Sequence, residues 1–197
     1  MERLVLARHA LAASNDSETV SGVAPGLGLT AAGVEQARAL GRALAQVPLD
    51  LAAVTEFRRT QETAELALEG RDVPRLVVPE LNEIDFGRFE GGLLSAYRDW
   101  AWAAPADELC PGGRESRGHA AERYAGGFAL LLDRPEAAIL AVTHAVPIRY
   151  LLDAAEGRPP TARVAPVGHA EAVVLDAEHV RAAVDALRAW AAAPAFR

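Results

Sequence analysis

The apolar positions of this chain fall into two kinds of run. The first is short, continuous and β-prone: Leu4-Val5-Leu6-Ala7, Leu51-Ala52-Ala53-Val54, Leu76-Val77-Val78 and Ala138-Ile139-Leu140-Ala141-Val142. Apolar runs without polar alternation predict strands buried on both faces, as in a parallel sheet. The second kind recurs at three and four residues. Val34, Ala37, Leu40, Leu44 and Val47 form such a stripe behind Thr30, a good N-cap, and Pro48 closes it. A second helix is predicted from Thr55–Arg59 to about Glu69, with Gly70 as its stop. Others are predicted over Leu93–Trp102, over Glu115–Leu132 (weakened by Gly126-Gly127), from about Pro147 onward, and over Val180–Trp190. Ala172–Asp176 is a last strand, placed at a sheet edge. Pro105 to Gly113 reads as a loop. So does Ala12 to Leu29, whose length between two regular elements marks it as an active-site loop.

Strands alternating with helices predict an α/β fold with a mostly parallel sheet covered by helices. There is no internal repeat and no linker, so residues 1–197 are expected to form one domain, with a lid-like insertion at about 91–117.

Composition narrows the function classes. A net charge of −7 argues against nucleic acid as a general partner. No apolar run approaches the roughly 20 residues that span a bilayer, so no membrane role is expected. Met1-Glu2-Arg3 leads straight into a strand, which predicts no secretory signal, and Cys110 is the one cysteine, which fits a reducing compartment. The expected location is the cytoplasm. Every basic residue other than histidine is arginine, a compositional bias of the whole chain rather than a functional feature.

The chemistry sits at two strand ends. Leu4–Ala7 stops at Arg8-His9, and Ala138–Thr143 stops at His144. In open α/β sheets ligands bind beyond the carboxyl ends of the strands. A nucleophile beside a fixed cation at that rim suits a phosphoryl group.

Six segments, in order, resemble the histidine phosphatase (phosphoglycerate mutase-like) superfamily. They are Arg8-His9-Ala10 with Asn15; Leu29–Ala37, similar to LTxxGxxQA; Arg59–Ala64, similar to RAxQTA; Leu81-Asn82-Glu83 with Gly87 and Glu90-Gly91; Pro111–Ser116, similar to PGGES; and Val142-Thr143-His144. The resemblance covers nearly the whole chain and implies a three-layer α/β/α fold. It implies a phosphomonoester hydrolase acting through phosphohistidine on a small phosphorylated metabolite, without metal or cofactor. His9 would be the nucleophile and Glu83 the proton donor. His144 would be a cationic donor while phosphate is bound, and Arg8, Arg59 and Asn15 would bind phosphate. Rivals to Glu83 are Asp85 and Glu80, and Arg58 could replace Arg59 if the register slips by one.

Two positions depart from the family: Ala10 replaces its glycine and Ala12 its serine or threonine, which puts catalytic efficiency in question. The alternatives are therefore a mutase-type phosphotransferase and a non-catalytic phospho-ligand binder. The compact segment from Glu83 to His144 favours hydrolysis over mutase chemistry. Tyr97, Trp100, Trp102 and the arginines of the 91–117 region predict an apolar or aromatic leaving group with some negative charge. His119, His169 and His179 are expected to be structural, with His169 able to border the pocket. Oligomeric state is not readable.

Overall fold

The computed structural model describes residues 1–196. Strands β1 (Arg3–Arg8), β2 (Leu51–Val54), β3 (Arg75–Val77), β4 (Ala138–Thr143) and β5 (Ala172–Asp176) form one sheet of order β3-β2-β4-β1-β5. β1 to β4 run parallel, and β5 lies antiparallel to β1 at the edge. The helices are α1 (Ala13–Asp16), α2 (Ala31–Ala43), α3 (Arg58–Ala67), α4 (Leu94–Ala103), α5 (Arg117–Leu132), α6 (Ala145–Ala155) and α7 (Ala177–Ala191).

The continuous apolar runs serve two cores at once. Leu4, Leu6, Leu51, Ala53, Ile139 and Ala141 point to one face, where α5, α6 and α7 supply Phe128, Leu131, Ile148, Leu151, Val184 and Leu187. Val5, Ala7, Ala52, Val54, Leu140 and Val142 point to the other, against Leu40 of α2 and Ala64 and Ala67 of α3. Each fully buried Leu or Ile side chain contributes about 1.5–3 kcal/mol relative to exposure. The result is the expected three-layer α/β/α architecture. Among the described residues no helix is long and apolar enough to cross a membrane.

Several element ends differ from the sequence reading, each for a local reason. α1 interrupts the expected loop although its N-cap, Ala12, offers no side-chain acceptor. α2 stops at Ala43, and Leu44 and Val47 continue as turns whose amides bond back to Leu40 and Leu44. α5 starts at Arg117 because Ser116 caps it, accepting from the His119 amide at 3.1 Å. α7 starts three residues early because Asp176 accepts from His179 N and forms the N-cap. Two short 3-10 turns, Pro79–Leu81 and Gly87–Phe89, had no sequence signature.

One feature of the topology positions the site. β4 lies between β1 and β2, and Arg8 is in register with Thr143. Each histidine follows one of these paired residues, so His9 and His144 leave neighbouring strands side by side. The His9 amide donates to Thr143 O at 2.9 Å.

Candidate active site

His9 is 1% exposed, and its Nδ1 lies 2.8 Å from Ala10 O. A carbonyl only accepts, so Nδ1 carries the proton and Nε2 keeps a free lone pair. Arg59 Nε donates to that Nε2 at 3.2 Å. Burial, then the charges of Arg59 and Arg8, hold the imidazole well below its usual 6.5, so it is neutral at neutral pH.

Arg59 is the centre of the cluster. Its Nη2 donates to His144 Nδ1 at 3.1 Å and to Ser21 O at 3.0 Å, and its guanidinium stacks 4.2 Å over the Phe57 ring. Burial lowers its pKa to about 10, which leaves it charged. Arg58, its rival in the sequence, turns outward to pair with Glu62 at 2.6 Å. The family motifs have visible work around this arginine. Thr63 Oγ1 donates to Arg59 O at 2.6 Å and accepts from Ala10 N at 2.9 Å. Gln36 Oε1 accepts from Leu11 N at 2.8 Å, and a Cβ on Gly33 would overlap the Leu11 carbonyl.

His144 is fully buried behind His9, ring centroids 5.4 Å apart. With Nδ1 accepting from Arg59, Nε2 carries the proton and donates to Thr55 Oγ1 at 3.1 Å. Thr55 in turn donates to Thr60 Oγ1 at 2.9 Å, which donates to Phe57 O at 2.8 Å. This chain fixes the tautomer. Burial, then Arg59, pushes His144 well below 6.5.

Glu83 Oε2 lies 3.8 Å from His144 Nδ1, and Oε1 accepts from Ile84 N at 3.0 Å. Burial raises its pKa, although Arg59 opposes the shift. Its loop is clamped by Arg123, which donates to the carbonyls of Glu80, Asn82 and Glu83 at 2.9, 3.0 and 3.3 Å. Arg123 is held by Glu115 through two bonds of 2.7 and 3.0 Å. The rivals have other places: Asp85 accepts from Gly87 N and Arg114 N, each at 2.8 Å, and Glu80, half-buried, does not line the cavity described below.

Arg8 Nη1 donates to Val167 O at 2.8 Å, and its Nε is buried without a partner. Asn15 lines the same cavity, with its Oδ1 accepting from Ala12 N at 3.3 Å. Ala10 is fully buried. The cavity has a volume of ≈ 400 Å³ and is lined by Arg8, His9, Asn15, Ser21, Arg59 and Glu83, together with Tyr97, Arg98, Trp102 and Arg117. Trp100 packs on Phe89 and Tyr97 instead, at 5.8 and 5.9 Å. Among the described residues no three His, Cys, Asp or Glu side chains gather as a metal would require.

Sequence reasoning gave no individual role to Ser21 or Thr55, and it took Arg117 only together with the other arginines of the 91–117 region. Thr55 had a usable signal, because it follows β2 at the rim where His9 and His144 leave their strands. His169, expected to be structural, donates from Nδ1 to His9 O at 2.9 Å, with ring centroids 5.5 Å apart.

Two imidazoles, two guanidiniums and a carboxyl gather at the carboxyl rim of the parallel strands, a set of groups that suits a phosphoryl anion. The profile of the histidine phosphatase superfamily (branch 1) matches residues 4–189, and the chain belongs to that family. It is 44% identical over 88 residues to the adenosylcobalamin/alpha-ribazole phosphatase of Salmonella typhimurium, a match covering 45% of this chain and 43% of the relative. The chain thus spans less than half the length of the curated relatives it matches. The alpha-ribazole phosphatase structure from Shigella flexneri superposes with a TM-score of 0.77 at 30% identity, covering 88% of this chain and 90% of that one. A mycobacterial glucosyl-3-phosphoglycerate phosphatase in complex with VO3 gives 0.74 at 25% identity, covering 89% and 92%.

Proposed function

We propose that the protein is a cytoplasmic phosphomonoester hydrolase that works through a phosphohistidine on His9, in a single domain with residues 91–117 as the lid. The observation that carries this reading is the contact of one guanidinium, Arg59, with both imidazoles, at 3.2 Å to His9 and 3.1 Å to His144. The location in the cytoplasm is supported by the single buried cysteine, Cys110.

In this mechanism the phosphoryl dianion enters between Arg8 and Arg59, whose planar donors bridge its oxygens, with Asn15 as a further donor. Arg59 then exchanges its bond to His9 Nε2 for bonds to the anion, freeing the lone pair. Nε2 attacks phosphorus while Nδ1 keeps its proton and goes on donating to Ala10 O. The P–O bond to the alcohol breaks, and Glu83, whose protonated form burial favours, gives its proton to the leaving oxygen. Arg8, Arg59 and His144 stabilise the charge spread over the equatorial oxygens. An anion beside His144 favours uptake of a proton from solvent at Nδ1, which then gives up the bond from Arg59 Nη2 and donates to the anion. Glu83, now a carboxylate, takes a proton from the water that attacks phosphorus, and phosphate leaves with neutral His9 restored.

The relatives' names make alpha-ribazole phosphate the first metabolite to assay. The deciding experiment uses an aryl phosphate. Wild type is expected to release phosphate and to yield, on alkaline quench, a phosphorylated His9 peptide by mass spectrometry, and His9→Ala to do neither. Equal rates for the two would refute the reading.

A further inference from the structure

Arg117 is a buried charge that this reaction does not use. It is the first residue of α5 and is 5% exposed, yet it lines the same cavity as Arg8 and Arg59. Its Nε donates to Tyr150 Oη at 2.8 Å, and its Nη2 is buried with no hydrogen-bond partner. Among the described residues it takes part in no ion pair. Tyr150 supplies no counter-charge, because burial raises its pKa and keeps it a neutral phenol. The Tyr150 and Phe196 rings face the guanidinium at 5.5 and 5.6 Å, a weak offset to its desolvation. A guanidinium taken out of water without an anion is costly.

The charges in the cavity sharpen the point. Four guanidiniums line it, those of Arg8, Arg59, Arg98 and Arg117, against the one carboxyl of Glu83. A phosphoryl dianion matches Arg8 and Arg59. Arg98 is exposed, so water screens it. Arg117 alone is both buried and unmatched, in a chain whose net charge is −7. The lining also includes the apolar groups of Phe86, Tyr97, Ala101 and Val146.

Given the phosphomonoesterase reading, on which this depends, we propose that Arg117 binds an anionic group on the leaving alcohol. The substrate is then a phosphomonoester whose alcohol joins an apolar body to a carboxylate or a second phosphoryl group. With Nε donating to Tyr150, the two Nη groups remain as a fork that donates to either group. The alcohol of alpha-ribazole phosphate carries no second acid and would leave Arg117 uncompensated.

The test compares phenyl phosphate, 4-carboxyphenyl phosphate and 1,4-phenylene bisphosphate. Wild type is expected to show a KM about tenfold or more lower for one of the two charged compounds, and which one identifies the group. In Arg117→Met the ratio of kcat/KM for that compound to kcat/KM for phenyl phosphate should collapse toward one, and Arg117→Lys should restore part of it. Equal wild-type KM values for all three, with turnover intact, would overturn the Arg117 subsite and leave the phosphatase reading standing. If nothing is turned over, that reading fails instead. Calorimetric Kd ratios for the same three compounds on wild type then still decide the subsite. The wild-type comparison needs no variant, so a folding defect in Arg117→Met does not remove the test.

Discussion

Arg59 Nε donates to His9 Nε2 at 3.2 Å, so the guanidinium proposed to bind the phosphoryl group also holds the lone pair of the proposed nucleophile. Lysine cannot make the three bonds that join His9, His144 and Ser21 through one rigid plane. Arg59→Lys should therefore lower kcat on an aryl phosphate by about 10²–10³-fold, with a smaller change in KM. Steady-state kinetics on the pure variant measure this, and a loss below about fivefold would remove Arg59 from the centre of the site.

The acid–base assignment gives a pH profile with a defined sign. His9 is held well below 6.5 and must be neutral to attack, so kcat/KM should hold up on the acid side until the pH is well under that value. Glu83 is raised above 4.5 and must be protonated to act, so the rate should fall as pH climbs through its raised pKa. Glu83→Gln should flatten that alkaline limb and slow poor leaving groups far more than good ones. An unchanged alkaline limb in the variant would assign the proton to another group.

Glu115 tests how that carboxyl is positioned. It touches no part of the proposed reaction but holds Arg123, whose guanidinium grips three carbonyls around Glu83. Glu115→Gln should lower kcat about tenfold, since small misplacement at a reacting centre is costly, and should shift the alkaline limb of the profile. A merely structural role would lower the melting temperature and leave that limb in place.

The same imidazoles couple stability to acid. In the unfolded chain a histidine titrates near 6.5, whereas His9 and His144 resist protonation when folded. Below 6.5 the unfolded chain binds more protons, so stability falls as pH drops. Glu83 acts in the opposite direction: its raised pKa withdraws stability as pH rises above 4.5. Melting curves of His9→Asn/His144→Asn should lose less on going from pH 7 to 5 than wild type does. Parallel losses would show that the histidines are not the acid-sensitive groups.

How much of this was legible in the residues alone follows from burial. β2 and β4 are buried throughout, so they are built of apolar residues apart from Thr143, whose hydroxyl donates to Leu81 O at 2.7 Å, and their runs gave the strand limits to the residue. Arg8, His9 and His144 were legible because they interrupt or end such runs. Glu83 and Asn15 came only from resemblance, since a carboxylate or amide in a polar loop has no distinguishing pattern. Strand order was hidden, because nothing in β4 says that it inserts between β1 and β2. The approach of His169 to His9 was hidden for the same reason: 160 residues separate them, and only the antiparallel edge strand brings them together.

The paired glycines of α5 separate a helix defect from a packing requirement. The sequence pattern treats Gly126 and Gly127 alike, as two residues that weaken a helix. The structure separates them. A Cβ on Gly126 meets nothing within 4 Å, whereas one on Gly127 would sit 2.8 Å from Leu81 Cδ2 and 3.0 Å from Glu80 Cβ. Gly126→Ala should then stabilise the protein by about 0.5–1 kcal/mol, the ordinary gain of replacing glycine inside a helix. Gly127→Ala gains the same helix propensity but pushes α5 off the 3-10 turn that leads to Glu83. Its net effect should be a loss of about 1–2 kcal/mol together with a drop in kcat. Denaturant unfolding of both variants, with aryl phosphate turnover on the same samples, measures the difference. If both variants were stabilised equally, the close contact between α5 and the Glu80–Leu81 turn would not be a constraint on this fold.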